Sequence, residues 1–221
     1  MSVVLTVAKR ELLELRYDRQ VLVWLIAFVT IFSWMSSSGS SEVSLLFTSS
    51  FMGMYGAFAL SGQTFDQEKL TGTLETLLCG PVTLRQLWFG KILGTLLPAA
   101  MVAYAAAAIV LYRGPDGAML FSVQLAVYLA LILPALLTAF IGVMGYVQLH
   151  FDSRRTRMIS IAVMALIGVL LLTSLTMAGE VARLSWEALA IAGLMGAGLT
   201  ALPYLLVNRL SKERIIMTSE G

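Results

Sequence analysis

The sequence predicts an all-α integral membrane protein: six transmembrane helices with both termini cytoplasmic, an N-terminal amphipathic interfacial helix, and a short cytoplasmic helix between spans 2 and 3. Three observations carry this. Of 221 residues, 58% are apolar and only 13% charged, with a mean hydropathy of +0.85, whereas soluble domains run near ~45–50% apolar and ~25% charged. Six stretches approach or exceed the roughly 20 apolar residues that cross a bilayer. Placing the N-terminus inside leaves only Arg113 and Arg183, of 15 Lys and Arg, on the outer side, the asymmetry expected of cytoplasmic loops.

Residues 1–20 open the chain. Lys9, Arg10, Glu11, Glu14, Arg16, Asp18 and Arg19 crowd this segment, so it does not read as a cleaved secretory signal. Val3, Val4, Val7, Leu12 and Leu15 recur at helical spacing among those charges, the pattern of a helix lying on the inner leaflet. The membrane body, 21–215, follows, with spans near 21–39, 43–63, 92–112, 118–149, 158–178 and 186–207, and 216–221 form a cytoplasmic tail.

The fourth stretch is the long one. At ~1.5 Å per residue it reaches ~48 Å, and half of it is too short to cross alone. One helix, kinked or tilted at Pro134, satisfies both constraints. Counting two spans would also move Arg154, Arg155 and Arg157 to the outer side. The outer connections SSSGSSE, RGPDG and GEVARLS are short. Recognition of a soluble partner is therefore expected on the cytoplasmic side.

There, segment 64–91 interrupts the apolar pattern. Leu70, Leu74, Leu77 and Leu78 form one stripe, and Glu68, Gly72, Glu75 and Cys79 lie on the other face. This spacing predicts an amphipathic helix of two to three turns, stopped at Gly80-Pro81. A new helix restarts at once: Thr83 with Gln86 has capping-box form, and Val82 can staple onto Leu87. Trp88 and Phe89 then fall at interface depth, with Lys91 at the entry to the third span.

Several chemistries lack their groups. One Cys and one His exclude a disulfide framework and a Cys/His metal cluster, and a net charge of +2 gives no reason to expect nucleic acid. No P-loop motif occurs, since Gly90-Lys91 is followed by Ile92 and position 85 is Arg. The predicted span interiors contain no Asp, Glu, Lys, Arg or His, the residues that mark ion-coupled pathways. Neither an intramembrane enzyme nor an ion-driven transporter finds its usual parts. Small-xxx-small spacings at Gly53, Ala57 and Ser61, and at Ala192, Gly196 and Thr200, mark helix-packing faces.

The string Glu68, Gly72, Thr73, Leu74, Glu75, Thr76, Leu77, Leu78 and Pro81, followed by Leu87, Gly90 and Lys91, resembles the coupling-helix region of type-2 ABC exporter permeases. The resemblance covers the overall topology, and about 25 residues at motif level. It implies a permease subunit without its own ATP site or cofactor, which pairs with a second copy or a paralogue and docks a cytoplasmic P-loop ATPase carrying ATP and magnesium. In that reading Glu68, Leu70, Gly72, Thr73, Leu74, Glu75, Leu77, Leu78 and Pro81 make the ATPase contact. Arg154, Arg155 and Arg157 make a secondary one, or sit on anionic lipid.

The expected location is a prokaryotic inner membrane, the expected cargo amphiphilic or hydrophobic. The haem exporter protein B family of cytochrome c maturation carries a similar Gly-Ser/Thr-Leu-Glu segment and is an alternative. A non-transporting six-span scaffold or passive channel, with 64–91 only an anchor, is another. GEVARLS departs from the exporter pattern in being short for the re-entrant helices often placed before the last span.

Overall fold

A chain whose apolar residues dominate every long segment satisfies its backbone most economically as helices, because each helix closes its own hydrogen bonds. A computed structural model describes residues 3–17, 19–36, 42–62, 64, 83–113, 122–150, 156, 158–159, 161–163, 165, 169 and 186–207. Among these the chain is helical with no strand.

The elements are α1 (Val3–Tyr17), α2 (Arg19–Ser36), α3 (Glu42–Ser61), α4 (Leu84–Arg113), α5 (Val123–Val127), a π-helical stretch (Tyr128–Ile132), α6 (Leu133–His150) and α7 (Trp186–Val207). Two helical runs, Arg85–Arg113 and Val123–His150, are long and apolar enough to cross a membrane. Shorter apolar helices cover Gln20–Met35, Leu45–Ser61 and Leu189–Ala201. Of the fifth predicted stretch, 158–178, only 158–159, 161–163, 165 and 169 are described, and these are helical.

Helix α4 is the hub. It packs against α1, α2, α3 and α6, while α6 also meets α3 and α7. The core joins Leu25 and Val29 of α2, Met52 and Ala57 of α3, Ile92, Ala99 and Ala103 of α4, and Leu137, Ile141 and Met144 of α6. Small residues set the separations. A Cβ on Gly53 would lie 2.9 Å from Ala103 Cβ and 3.0 Å from a Leu137 methyl, so α3 approaches α4 and α6 closely only because that side chain is absent. Gly56 faces Val102 in the same way, at 3.2 Å. At the far end of α4, the Arg113 guanidinium sits 3.4 Å from the centroid of the Trp34 ring and donates to the Trp34 carbonyl, which ties α2 to α4.

The long fourth stretch, described from Ser122, is continuously helical from Val123 to His150 and changes register just before Pro134. Ser122 caps its start, its Oγ accepting from Leu125 N–H at 3.2 Å. The π register then falls immediately before the proline. Leu133 N–H bonds to the Tyr128 carbonyl, five residues back, so the Leu129 carbonyl loses its α-helical donor. Its π-type donor would be residue 134, a proline with no N–H. The Tyr104 hydroxyl of α4 supplies the bond instead, at 3.0 Å. Tyr128 itself hydrogen-bonds the Ser50 hydroxyl of α3.

Candidate functional site: the junction of α1, α3 and α4

Helix α4 begins where the sequence signals it. Thr83 N–H donates to Gln86 Oε1 at 3.1 Å and Gln86 N–H donates to Thr83 Oγ1 at 3.3 Å, a reciprocal capping box. From that cap the helix runs without interruption to Arg113. Whatever acts on the chain just before Thr83 therefore acts on one end of a rod about 45 Å long at ~1.5 Å per residue.

About two turns in, α1 lies against this rod. A Cβ on Gly90 would be 2.6 Å from Val7 Cβ and 3.1 Å from the Val4 carbonyl oxygen. One on Gly94 would be 2.7 Å from Glu11 Cβ and 3.2 Å from the Ala8 carbonyl oxygen. These distances exclude any side chain at either position, so Gly90 and Gly94 form a flat strip onto which α1 docks. The contact buries Ala8 and Glu11 and leaves Val3, Leu5, Leu12 and Leu13 exposed. Helix α1 thus has a protein-facing side as well as an apolar side open to its surroundings.

Between the two glycines stands Lys91, buried to 1% residual exposure. Its Nζ lies 3.2 Å from Glu11 Oε1 and donates to the Thr64 carbonyl at 2.6 Å. Thr64 is also buried, with its hydroxyl turned onto the Leu60 carbonyl at 2.9 Å. One ammonium therefore joins three chain segments: α1, the end of α3 and the start of α4. A buried charge is tolerated only when paired and hydrogen-bonded, and here both conditions are met. Thr95 continues the polar seam, donating to the Lys91 carbonyl at 2.8 Å.

The geometry adds what the sequence does not carry. Lys91 is covered by α1, because the Gly90/Gly94 strip admits that helix. Trp88 is 3% exposed and belongs to the core, whereas Phe89, packed edge-on against it at 5.1 Å between centroids, reaches the surface. Glu11 was missed as a site residue altogether. Its signal was the pairing of Gly90-Lys91-x-x-Gly94, a small-xxx-small strip with a cation inside it, with an acidic residue on an amphipathic helix.

Of the residues singled out from the sequence, Glu68, Leu70, Gly72, Thr73, Leu74, Glu75, Leu77, Leu78 and Pro81 lie outside the described residues, as do Arg154, Arg155 and Arg157. The junction is their covalent neighbour: Thr64 and Thr83 bracket the first group. Gly53, Ala57 and Ser61 are buried in α3, and the Ser61 hydroxyl turns onto the Phe58 carbonyl. Ala192 is half-buried on α7, and a Cβ on Gly196 would lie 3.5 and 3.7 Å from Leu136 and Ala135 of α6.

No protein-family model matches the chain, and no curated protein matches it.

Proposed function

We propose that this chain is the permease subunit of an ATP-driven exporter of the ABC type, a six-span protein that pairs with a second permease and moves an amphiphilic or hydrophobic cargo using a separate ATPase. The observation that carries the reading is the continuity between the string Gly72-Thr73-Leu74-Glu75 and a membrane-length helix. The string ends at Pro81, the capping box opens at Thr83, and α4 then runs to Arg113. The segment before the string ends at Thr64, whose carbonyl is held by Lys91 of the same helix.

Both ends of the 65–82 segment are thereby fastened to the first turns of α4. A load applied to that segment by a docked ATPase reaches α4 at its capped start, and α1 through the Glu11–Lys91 pair. Rigid coupling of this kind suits a transport cycle in which a cytoplasmic motor shifts packed helices between two arrangements. The apolar core, in which the one buried cation among the described residues is the paired Lys91, favours an amphiphile over an ion.

Purification from native membranes in mild detergent tests the proposal. A P-loop ATPase is expected to accompany the wild-type chain in near-equal amounts and to be lost from Gly72→Trp/Glu75→Lys, with the variant still eluting as a folded membrane protein. A wild-type chain that stays intact yet never retains an ATPase would instead favour a scaffold or passive channel.

A further inference from the structure

Helix α1 carries two faces, and one of them meets protein. Val7 and Glu11 supply the side chains, and Val4 and Ala8 the carbonyls, that lie on the Gly90/Gly94 strip. Leu5, Lys9, Leu12 and Leu13 recur at i, i+4, i+7 and i+8 of the same helix. At ~100° per residue they form a second face, about 135° round from the first. Leu5, Leu12 and Leu13 are 56, 37 and 47% exposed, and Lys9 is exposed among them.

The charges of α1 are sorted between these faces. Both of its carboxylates are occupied elsewhere: Glu11 is buried against Lys91 at 3.2 Å, and Glu14, off the leucine face, takes the Arg10 guanidinium at 2.7 Å. Lys9 makes no ion pair among the described residues. The leucine face therefore presents a cation and no anion. Leucines alone would suit any apolar neighbour, whereas an unpaired lysine among them selects one that is negatively charged at its edge. Helix α2 follows with only Asp18 between, and its apolar run begins at Gln20. In the proposed topology this tethers α1 at the level where the chain enters the cytoplasmic leaflet, the leaflet that carries anionic lipid.

We propose that this face of α1 docks on anionic phospholipid, with Leu5, Leu12 and Leu13 against the upper acyl carbons and the Lys9 stem running along them to place its ammonium on a headgroup phosphate. A basic residue at an anionic surface strengthens such a contact about fivefold. Recognition of headgroup charge by Lys9 needs a bilayer and no ATPase, and a nanodisc offers the same lipid on both faces, so it stands or falls apart from the exporter reading.

The test places a photo-crosslinking residue at Leu5 or Leu13 of the full-length chain, or at Met101 of α4, 65% exposed, as a control. Each protein is reconstituted in nanodiscs of equal phosphatidylglycerol and phosphatidylcholine, and the lipid adducts are identified by mass spectrometry. Phosphatidylglycerol adducts are expected to exceed phosphatidylcholine adducts about fivefold at Leu5 and Leu13 and to match them at Met101. Lys9→Gln should bring the ratio at Leu13 close to one and leave Met101 unchanged, as should salt at about 0.5 M. Leu5, Lys9 and Leu13 are all exposed, so these changes leave the Glu11–Lys91 contact in place.

Equal adducts of the two lipids at Leu5 and Leu13, or a phosphatidylglycerol excess that survives Lys9→Gln, overturns the assignment. Adducts joining two copies of the chain overturn it by making the face a protein interface. Lipid adducts at Met101 with none at Leu5 or Leu13 overturn it by placing α1 clear of the bilayer.

Discussion

A lysine ammonium held 3.2 Å from a carboxylate, with both side chains at most 5% exposed, is stable only as a pair. Removing one member strands the other in a site that water does not reach, at about 3 kcal/mol or more, whereas replacing both by apolar groups of similar volume is often neutral. Lys91→Met is therefore expected to lower resistance to thermal unfolding in detergent sharply, and Glu11→Leu/Lys91→Met to regain most of it. A double variant as fragile as the single one would show that Lys91 acts mainly through the Thr64 carbonyl. The glycines make a separate prediction. Gly94→Leu drives its side chain into the Glu11 side chain and the Ala8 carbonyl and should detach α1, making Lys91 reactive toward an amine reagent that leaves it untouched in wild type.

At the scale of elements, the π turn before Pro134 links backbone chemistry to packing. Because proline cannot donate to the Leu129 carbonyl, the Tyr104 hydroxyl does so, and α4 is pinned to the break in the α5–α6 run. Tyr104→Phe should cost about 1 kcal/mol. The same change made in Pro134→Ala, which restores a backbone N–H, should cost clearly less; a double-mutant cycle of unfolding free energies reads the coupling. An additive cycle would show that the tyrosine contact is independent of the proline.

How much of this was legible beforehand differs by interaction range. The helices of α2, α3, α4 and α7 follow from apolar length, the start of α4 from Thr83 and Gln86, and the distortion in the fourth stretch from Pro134. All of these are determined within a few residues of chain. The Glu11–Lys91 pair, the burial of Trp88 and the Tyr104 contact depend on which helix faces which. Periodicity gives the apolar side of each helix but not its neighbour. Gly90 and Gly94 held that information in part, as a strip where another backbone must approach.

For the whole molecule, the proposed topology puts the single cysteine, Cys79, on the same side of the membrane as both termini. A membrane-impermeant maleimide should label it in inside-out vesicles and not in intact cells, and a cysteine introduced at Asp116 of a Cys79→Ser chain should behave in the opposite way. Labelling of both positions from one side would contradict the six-span arrangement.

The central claim is that a separate motor grips segment 65–82, and a photo-crosslinking residue at Thr73 in native membranes addresses it directly. Irradiation is predicted to join the chain to a P-loop ATPase, with the adduct lost when Glu75→Lys is added. Adducts only to lipid, from a chain that remains folded and inserted, would contradict the account and leave 65–82 as a membrane anchor.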